Sequence, residues 1–100
     1  MNVEIIEKLV EVVRERKANP SDNSYTCQLI NGGANKIIKK LGEENAELIK
    51  AILTEEDKDV AAETADFLYH MIVALEFRNV KFEDVLGVLE ERFGKSGIRK

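Results

Sequence analysis

The sequence predicts an all-α protein, a helical bundle of about four to five helices. Apolar residues recur at three- and four-residue spacing along most of the chain, no stretch alternates with the period of two that a strand needs, and Ala, Leu, Ile, Val, Glu and Lys dominate over Gly and Pro. Hydrophobic residues at 44% and charged residues at 34% place the chain among globular rather than disordered sequences. At 100 residues there is room for a single domain, 1–100, and a chain this short buries only roughly 60–65% of its unfolded surface. The core is therefore expected to be completed by homodimerisation.

The elements follow in order. Val3, Ile6, Leu9, Val10 and Val13 give a first helix over Val3 to Arg16 one apolar face. The stretch Ala18-Asn19-Pro20-Ser21-Asp22-Asn23 ends it. Ser24 is placed to cap a short helix to about Ile30, and Asn31-Gly32-Gly33 is a break. A long helix from about Ala34 to Leu53 carries the stripe Ala34, Ile37, Ile38, Leu41, Leu48, Ile49 and Ile52. Thr54 is the expected N-cap of a fourth helix, Glu55 to about Arg78, with Glu55, Glu56 and Asp57 in the first turn, where the helix dipole favours acids. Asn79-Val80-Lys81 makes the next turn. A last helix from Phe82 to Phe93 sets Phe82, Val85, Leu86, Leu89 and Phe93 on one side, with Gly94 placed to end it.

Several function classes are disfavoured at once. A net charge of −4 argues against nucleic acid as a partner, because binders of its backbone are basic over a whole face. The lone Cys27 forms no internal disulfide, and the charges within the first 17 residues leave no apolar core for a signal peptide, so a cytoplasmic location is expected. The longest weakly charged run, Val60 to Leu75, contains Glu63, Asp66 and His70 and is too short and polar to span a membrane.

That run is also the informative one. The segment VAAETADFLYHMIVAL is apolar on nearly every side, which is the pattern of a helix buried in a bundle or an interface. At 100° per residue Asp59, Glu63, Asp66 and His70 fall within about 60° of one another, a polar line along a core helix. Unpaired buried carboxylates are costly, so these acids need partners or a cation. On the preceding helix Lys36, Lys40, Glu44 and Glu47 line one flank of the apolar stripe, whereas Lys39, Glu43 and Lys50 point to the opposite side. Antiparallel packing of the two helices turns Glu44 and Glu47 toward Glu63 and Asp66. Four carboxylates without a cysteine or histidine ligand set suit Mg²⁺, with Mn²⁺ as a substitute, and suit zinc poorly. The alternative is a structural network in which Lys40 or Arg78 pairs with one acid, which leaves the others unexplained.

The remaining polar residues have two readings each. His70 and Tyr69 fit a satisfied hydrogen bond in the core or a role next to substrate. Lys36 and Lys40, a like-charge pair one turn apart, fit phosphate binding or plain solvation. Gly94-Lys95-Ser96 is no phosphate-binding loop, because that motif needs Gly where Leu89 stands and a preceding strand. The basic tail Lys95, Arg99 and Lys100 is a fraying end by default.

SYTCQLINGG, KIIKKLGEENAE, ETADFLYHMIV and EDVLGVLEERFGKSGI, in this order and spacing from Ser24 to Ile98, resemble phosphoribosyl-ATP pyrophosphohydrolases of histidine biosynthesis, members of the all-α nucleoside triphosphate pyrophosphatase (MazG-like) superfamily. The two acidic pairs alone indicate the superfamily; SYT, the YH pair and GKSGI carry the narrower resemblance. It implies hydrolysis of phosphoribosyl-ATP to phosphoribosyl-AMP and pyrophosphate by a dimer, with metal ligands and catalytic carboxylates at Glu44, Glu47, Glu63 and Asp66. Lys39 and Lys40 would handle phosphate, and Ser24, Tyr25 and Thr26 would form or support the substrate pocket; Lys36 and His70 complete the expected substrate-binding set. The chain departs from the family at Asn45-Ala46, where Ala then Thr is frequent, and at Phe93, where His is common. Two other readings stand beside this one: a housecleaning pyrophosphatase of other nucleoside triphosphates, and a non-enzymatic helical interaction module.

Overall fold

The computed structural model describes residues 3–21 and 23–93, which form four helices and no strand. The first helix, α1 (Glu4–Ala18), buries Val10 and Val13 from its apolar face, with Ile6 and Leu9 packed at the margin, while Val3 stays exposed. Ser24 caps α2 (Tyr25–Thr54) as the sequence predicts, its hydroxyl accepting from the Cys27 amide at 3.2 Å. Cys27 is itself buried at the α1–α2 corner, where its thiol donates to the Arg16 carbonyl (3.2 Å) and accepts from the Ser21 amide (3.3 Å).

The expected break falls at Gly33, where φ 85° and ψ −177° interrupt the helix and divide α2 into two limbs. That conformation is essentially open to glycine alone. The limbs diverge there, so residues 25–32 and residues 34–54 meet the rest of the molecule in different directions.

The link to α3 (Asp57–Arg78) falls later than the sequence suggests, at Glu55 and Glu56 rather than at Thr54. Thr54 is not an N-cap: it is the last residue of α2, and its hydroxyl donates back to the Lys50 carbonyl at 2.9 Å. Glu56 holds the cap position without a side-chain bond, and the acids of the first turn are Asp57 and Asp59 rather than Glu55 and Glu56. A link of only Glu55 and Glu56 makes α2 and α3 antiparallel, and theirs is the most extensive helix pairing in the fold. Burial of α3 is less even than its composition suggests. His70, Ile72, Val73 and Glu76 are buried, but Ala61, Ala62 and Ala65 of its N-terminal half are exposed. Side-chain bonds from α1 reach the C-terminal end of α3.

Those bonds come from two basic residues of α1. Arg14 donates from Nε to the buried Glu76 (2.8 Å) and from its two terminal nitrogens to Glu83, in the first turn of the last helix (2.6 and 3.1 Å). Lys17 donates to the Glu76 carbonyl (2.6 Å) and to the side chain of Asn79, the left-handed residue that ends α3. The freed carbonyls of a helix end thus receive a cation where the dipole favours one. Helix α4 (Phe82–Arg92) contributes only Phe82 to the margin of the core; its expected stripe ends in exposed Leu86, Leu89 and Phe93, and a groove of about 540 Å³ separates it from α1. Gly94, Lys95, Arg99 and Lys100, including the expected helix stop and basic tail, lie outside the described residues.

Two outcomes follow for stability. Gly33→Ala meets no steric neighbour, so its cost is backbone strain alone, about 1–3 kcal/mol; thermal melts should show a loss of roughly 4–8 °C per kcal/mol. Arg14 holds the Glu83 carboxyl down to about 2 from an ordinary 4.5. A depressed carboxylate stabilises the fold above its unfolded value, so this contribution is intact above pH 4.5 and is lost as pH falls toward 2. The melting-temperature difference between wild type and Glu83→Gln should be constant from pH 7 to 5, shrink below pH 4.5 and be mostly lost at pH 2.

Candidate active site

Antiparallel pairing brings the second limb of α2 against the N-terminal half of α3 and sets their acids face to face. Carboxylate oxygens of Glu44, Glu63 and Asp66 lie within 4.8 Å of one another. Glu44 and Glu63 are half-buried and Asp66 is exposed, so the cluster opens to solvent on the Asp66 side. Glu47 is exposed and stands outside this convergence, yet after burial its charge is the strongest influence on Glu63. Burial first, then the charges of Glu47, Asp66, Glu44 and Glu55, push the Glu63 carboxyl above its ordinary range. Its Oε2 is buried and has no hydrogen-bond partner among the described residues.

An orphaned buried carboxylate oxygen next to two further carboxylates is a repulsive arrangement by itself. It fits a hard divalent cation, since all donors are oxygen and no thiolate or imidazole is offered. The competing structural network is not formed as the sequence allowed: Lys40 pairs with Glu43, one turn away on its own helix at 3.5 Å, rather than with Glu63 or Asp66. Glu43, which the helical wheel turns aside, reaches the site's edge through this pair. Lys36 and Lys39 are exposed, and Lys40 is half-buried. The methylenes of Lys36 occupy the space over Gly32, where a Cβ would stand 2.3 Å from Lys36 Cδ. Asn45 is exposed, so it needs no buried partner.

The SYT and YH motifs meet each other. Tyr25 Oη lies 3.3 Å from His70 Nε2, and Thr26 Oγ1 lies 2.5 Å from Tyr69 Oη. The Tyr25 and Tyr69 rings stack with centroids 6.3 Å apart, and His70 stands edge-on to both. His70 is only 8% exposed, and its Nδ1 donates to the Asp66 carbonyl at 2.8 Å. Both ring nitrogens are thus engaged within the chain, which matches the satisfied core histidine of the two readings. Ser24, Tyr25 and Thr26 also form one wall of a polar cleft of about 450 Å³ between the end of α1 and the start of α2. Sequence reasoning did not find the Arg14–Glu76 pair; its only trace is a glutamate three residues after Val73, on the buried side of α3.

Facing acidic turns on two antiparallel helices of a bundle, with lysines on the adjoining turns, give an all-α protein the oxygen donors and cations that a hydrolase of nucleotide phosphoanhydrides needs. The chain belongs to the phosphoribosyl-ATP pyrophosphohydrolase family, whose model matches residues 6–93. It is 41% identical over 99 residues to a phosphoribosyl-ATP pyrophosphatase of Clostridium novyi, covering 99% of this chain and 90% of that protein. A phosphoribosyl-ATP pyrophosphatase of Geotalea daltonii is 41% identical over 98% of this chain and 92% of its own length. A histidine biosynthesis bifunctional protein of Prochlorococcus marinus is 45% identical over 92% of this chain, which spans only 42% of that longer protein.

Removing one charge from the cluster should act oppositely with and without metal. Glu63→Gln relieves the repulsion, so in EDTA its melting temperature should exceed that of wild type by about a few degrees. Added Mg²⁺ should raise the wild-type melting temperature and leave the variant unmoved. Equal Mg²⁺ stabilisation of both proteins would take Glu63 out of the site.

Proposed function

We propose that this chain hydrolyses the α–β phosphoanhydride of phosphoribosyl-ATP, releasing phosphoribosyl-AMP and pyrophosphate, as a Mg²⁺-dependent cytoplasmic homodimer. The observation that carries the reading is the convergence of Glu44, Glu63 and Asp66 around an orphaned carboxylate oxygen, in a chain of this family. Glu44, Glu63 and Asp66 would hold the metal, with Glu47 as the fourth carboxylate. Bound there, Mg²⁺ supplies charge neutralisation for the polyphosphate and acidity for the attacking water. Lys36, Lys39 and Lys40, on the turns before Glu44, bind phosphate oxygens and draw the triphosphate to the acidic face. The proton released as water adds to phosphorus goes to an α2 carboxylate of the cluster, Glu44 or Glu47. The cleft beside Ser24, Tyr25 and Thr26 receives the part of the substrate beyond the triphosphate. No helix among the described residues is long and apolar enough to cross a membrane.

A second copy is the occupant that suits the uncovered apolar surface. Ile38, Ile49, Ile52 and Leu53 of α2 lie within one face of the helix, and all four are exposed, Leu53 to 75%. Ala61, Ala62 and Ala65 of α3 are exposed as well. Large aliphatic side chains exposed together on one helix face are the kind of surface that self-association covers.

Two measurements test this. Light scattering at micromolar concentration should give twice 11.3 kDa; a stable monomer removes the dimer. Kinetics should give a kcat/KM for phosphoribosyl-ATP at least about a hundredfold above those for ATP, dUTP or dCTP, roughly the 3 kcal/mol of a few lost polar contacts. A preference for dUTP or dCTP would instead establish the housecleaning activity, and no hydrolysis with any of them would favour the interaction module.

A further inference from the structure

The cleft of about 450 Å³ between the end of α1 and the start of α2 is built of fixed parts. The buried Cys27 ties its two sides together, its thiol donating to the Arg16 carbonyl (3.2 Å) and accepting from the Ser21 amide (3.3 Å). The turn that follows is closed by the Ser24 amide on the Ser21 carbonyl at 3.2 Å. Arg16, Ser21 and Ser24 all line the cleft.

What the cleft offers a ligand follows from which of its atoms are already spent. Ser21 Oγ accepts from the Asn23 amide (3.3 Å) and Ser24 Oγ from the Cys27 amide (3.2 Å), so each hydroxyl keeps its own proton to donate. Arg16 gives Nη1 to Glu15 at 2.7 Å, and Glu15 spends its other oxygen on the Asn19 side-chain amide at 3.3 Å. The guanidinium is thereby held by one edge. Its Nε and Nη2, the adjacent N–H groups whose geometry matches two oxygens of one phosphate, donate to no side chain among the described residues. The Arg16 side chain is 44% exposed, so a ligand can reach it. A guanidinium fork and two hydroxyl protons are a donor set for an oxyanion. With Glu15 beside the one arginine, that anion is a single phosphate group rather than a triphosphate, for which the lysine-bearing limb and the acidic cluster with its metal are the better place.

Tyr25 connects this cleft to the cluster. It lines the cleft, its hydroxyl meets His70 Nε2 at 3.3 Å, and His70 Nδ1 donates to the Asp66 carbonyl at 2.8 Å. Two hydrogen bonds and one imidazole ring separate the cleft wall from a residue of the cluster, a span comparable with the length of a nucleoside. One substrate molecule with its triphosphate at the cluster therefore extends into the cleft.

We propose that Arg16 is a specificity-determining residue: its Nε and Nη2, together with the hydroxyls of Ser21 and Ser24, bind the ribosyl phosphate that phosphoribosyl-ATP carries and ATP lacks. The inference deepens the pyrophosphohydrolase reading and rests on it for the identity of the substrate. Arg16 touches no reacting atom in this arrangement, so it acts on which nucleotide is bound and leaves the chemistry at the cluster alone.

The test compares product nucleotides that differ only by the ribosyl phosphate. Wild type, Arg16→Ala and Arg16→Lys are titrated calorimetrically with phosphoribosyl-AMP and with AMP. Arg16→Ala should raise the phosphoribosyl-AMP Kd about thirtyfold, the size of a lost charged hydrogen-bond pair, and change the AMP Kd less than about twofold. Arg16→Lys keeps the charge without the fork and should recover only part of the loss. Inorganic pyrophosphate, titrated into Mg²⁺-loaded protein, should bind both variants as it binds wild type. In turnover of phosphoribosyl-ATP, Arg16→Ala should raise KM with kcat within about threefold. Ser21→Ala, which leaves α1 untouched, should weaken phosphoribosyl-AMP selectively as well, and it carries the comparison should Arg16→Ala fold poorly. A wild-type phosphoribosyl-AMP Kd in Arg16→Ala, an equal loss for AMP or for pyrophosphate, or a wild type that binds phosphoribosyl-AMP no better than AMP would overturn the proposal. Hydrolysis of phosphoribosyl-ATP by wild type is scored separately: unselective loss with hydrolysis intact removes only the role of Arg16, and absent hydrolysis removes the functional reading.

Discussion

Like charges are brought together here because two helices have no other way to pack. A link of two residues, Glu55 and Glu56, obliges α2 and α3 to run antiparallel, and their apolar faces then fix the rotation of each helix about its axis. With that rotation settled, Glu44 and Glu63 sit at the seam and Asp66 at its mouth. Hydrophobic burial along the rest of the pair opposes the repulsion. The cluster is therefore a local stress held by a larger, non-specific attraction, and under the proposed function a cation would find its carboxylates already gathered.

The rest of the fold serves to keep this pair in place from its far end. Arg14 and Lys17 of α1 reach Glu76, its carbonyl and Asn79, so the end of α3 away from the acids is fastened by charge and by core packing around Val13, Ile72 and Val73. The acidic end is left comparatively open. Such a division suits a molecule that must admit a highly charged ligand at one end without loosening at the other. The kink at Gly33 adds a third direction, since it lets one continuous stretch of chain supply both the lysine-bearing limb and the Ser24–Thr26 wall.

Much of this was legible in the residues. Helical class, the α1 stripe, the Ser24 cap and the break at Gly33 follow from local chemistry, because each depends on one turn of chain and its own side chains. The pairing of Glu44 with Glu63 and Asp66 was legible as well, since charged residues on an apolar helix admit few arrangements. The Thr54 cap was misplaced because a threonine hydroxyl satisfies the carbonyl one turn back as readily as a forward amide, and only the length of α2 decides between them.

What the sequence determined by itself, then, is the periodicity of each helix, the identity of the acids and the family they belong to. Tertiary structure alone decided that Glu47 stands outside the convergence that takes in Glu44, that Lys40 turns to Glu43, and that His70 spends both nitrogens on Asp66 and Tyr25. The physical reason is range. Helix propensity and amphipathicity are set by neighbours within a turn, but the partner of a polar side chain is set by whichever groups from distant elements arrive within about 3 Å, and residues 45 positions apart in the chain share no local signal.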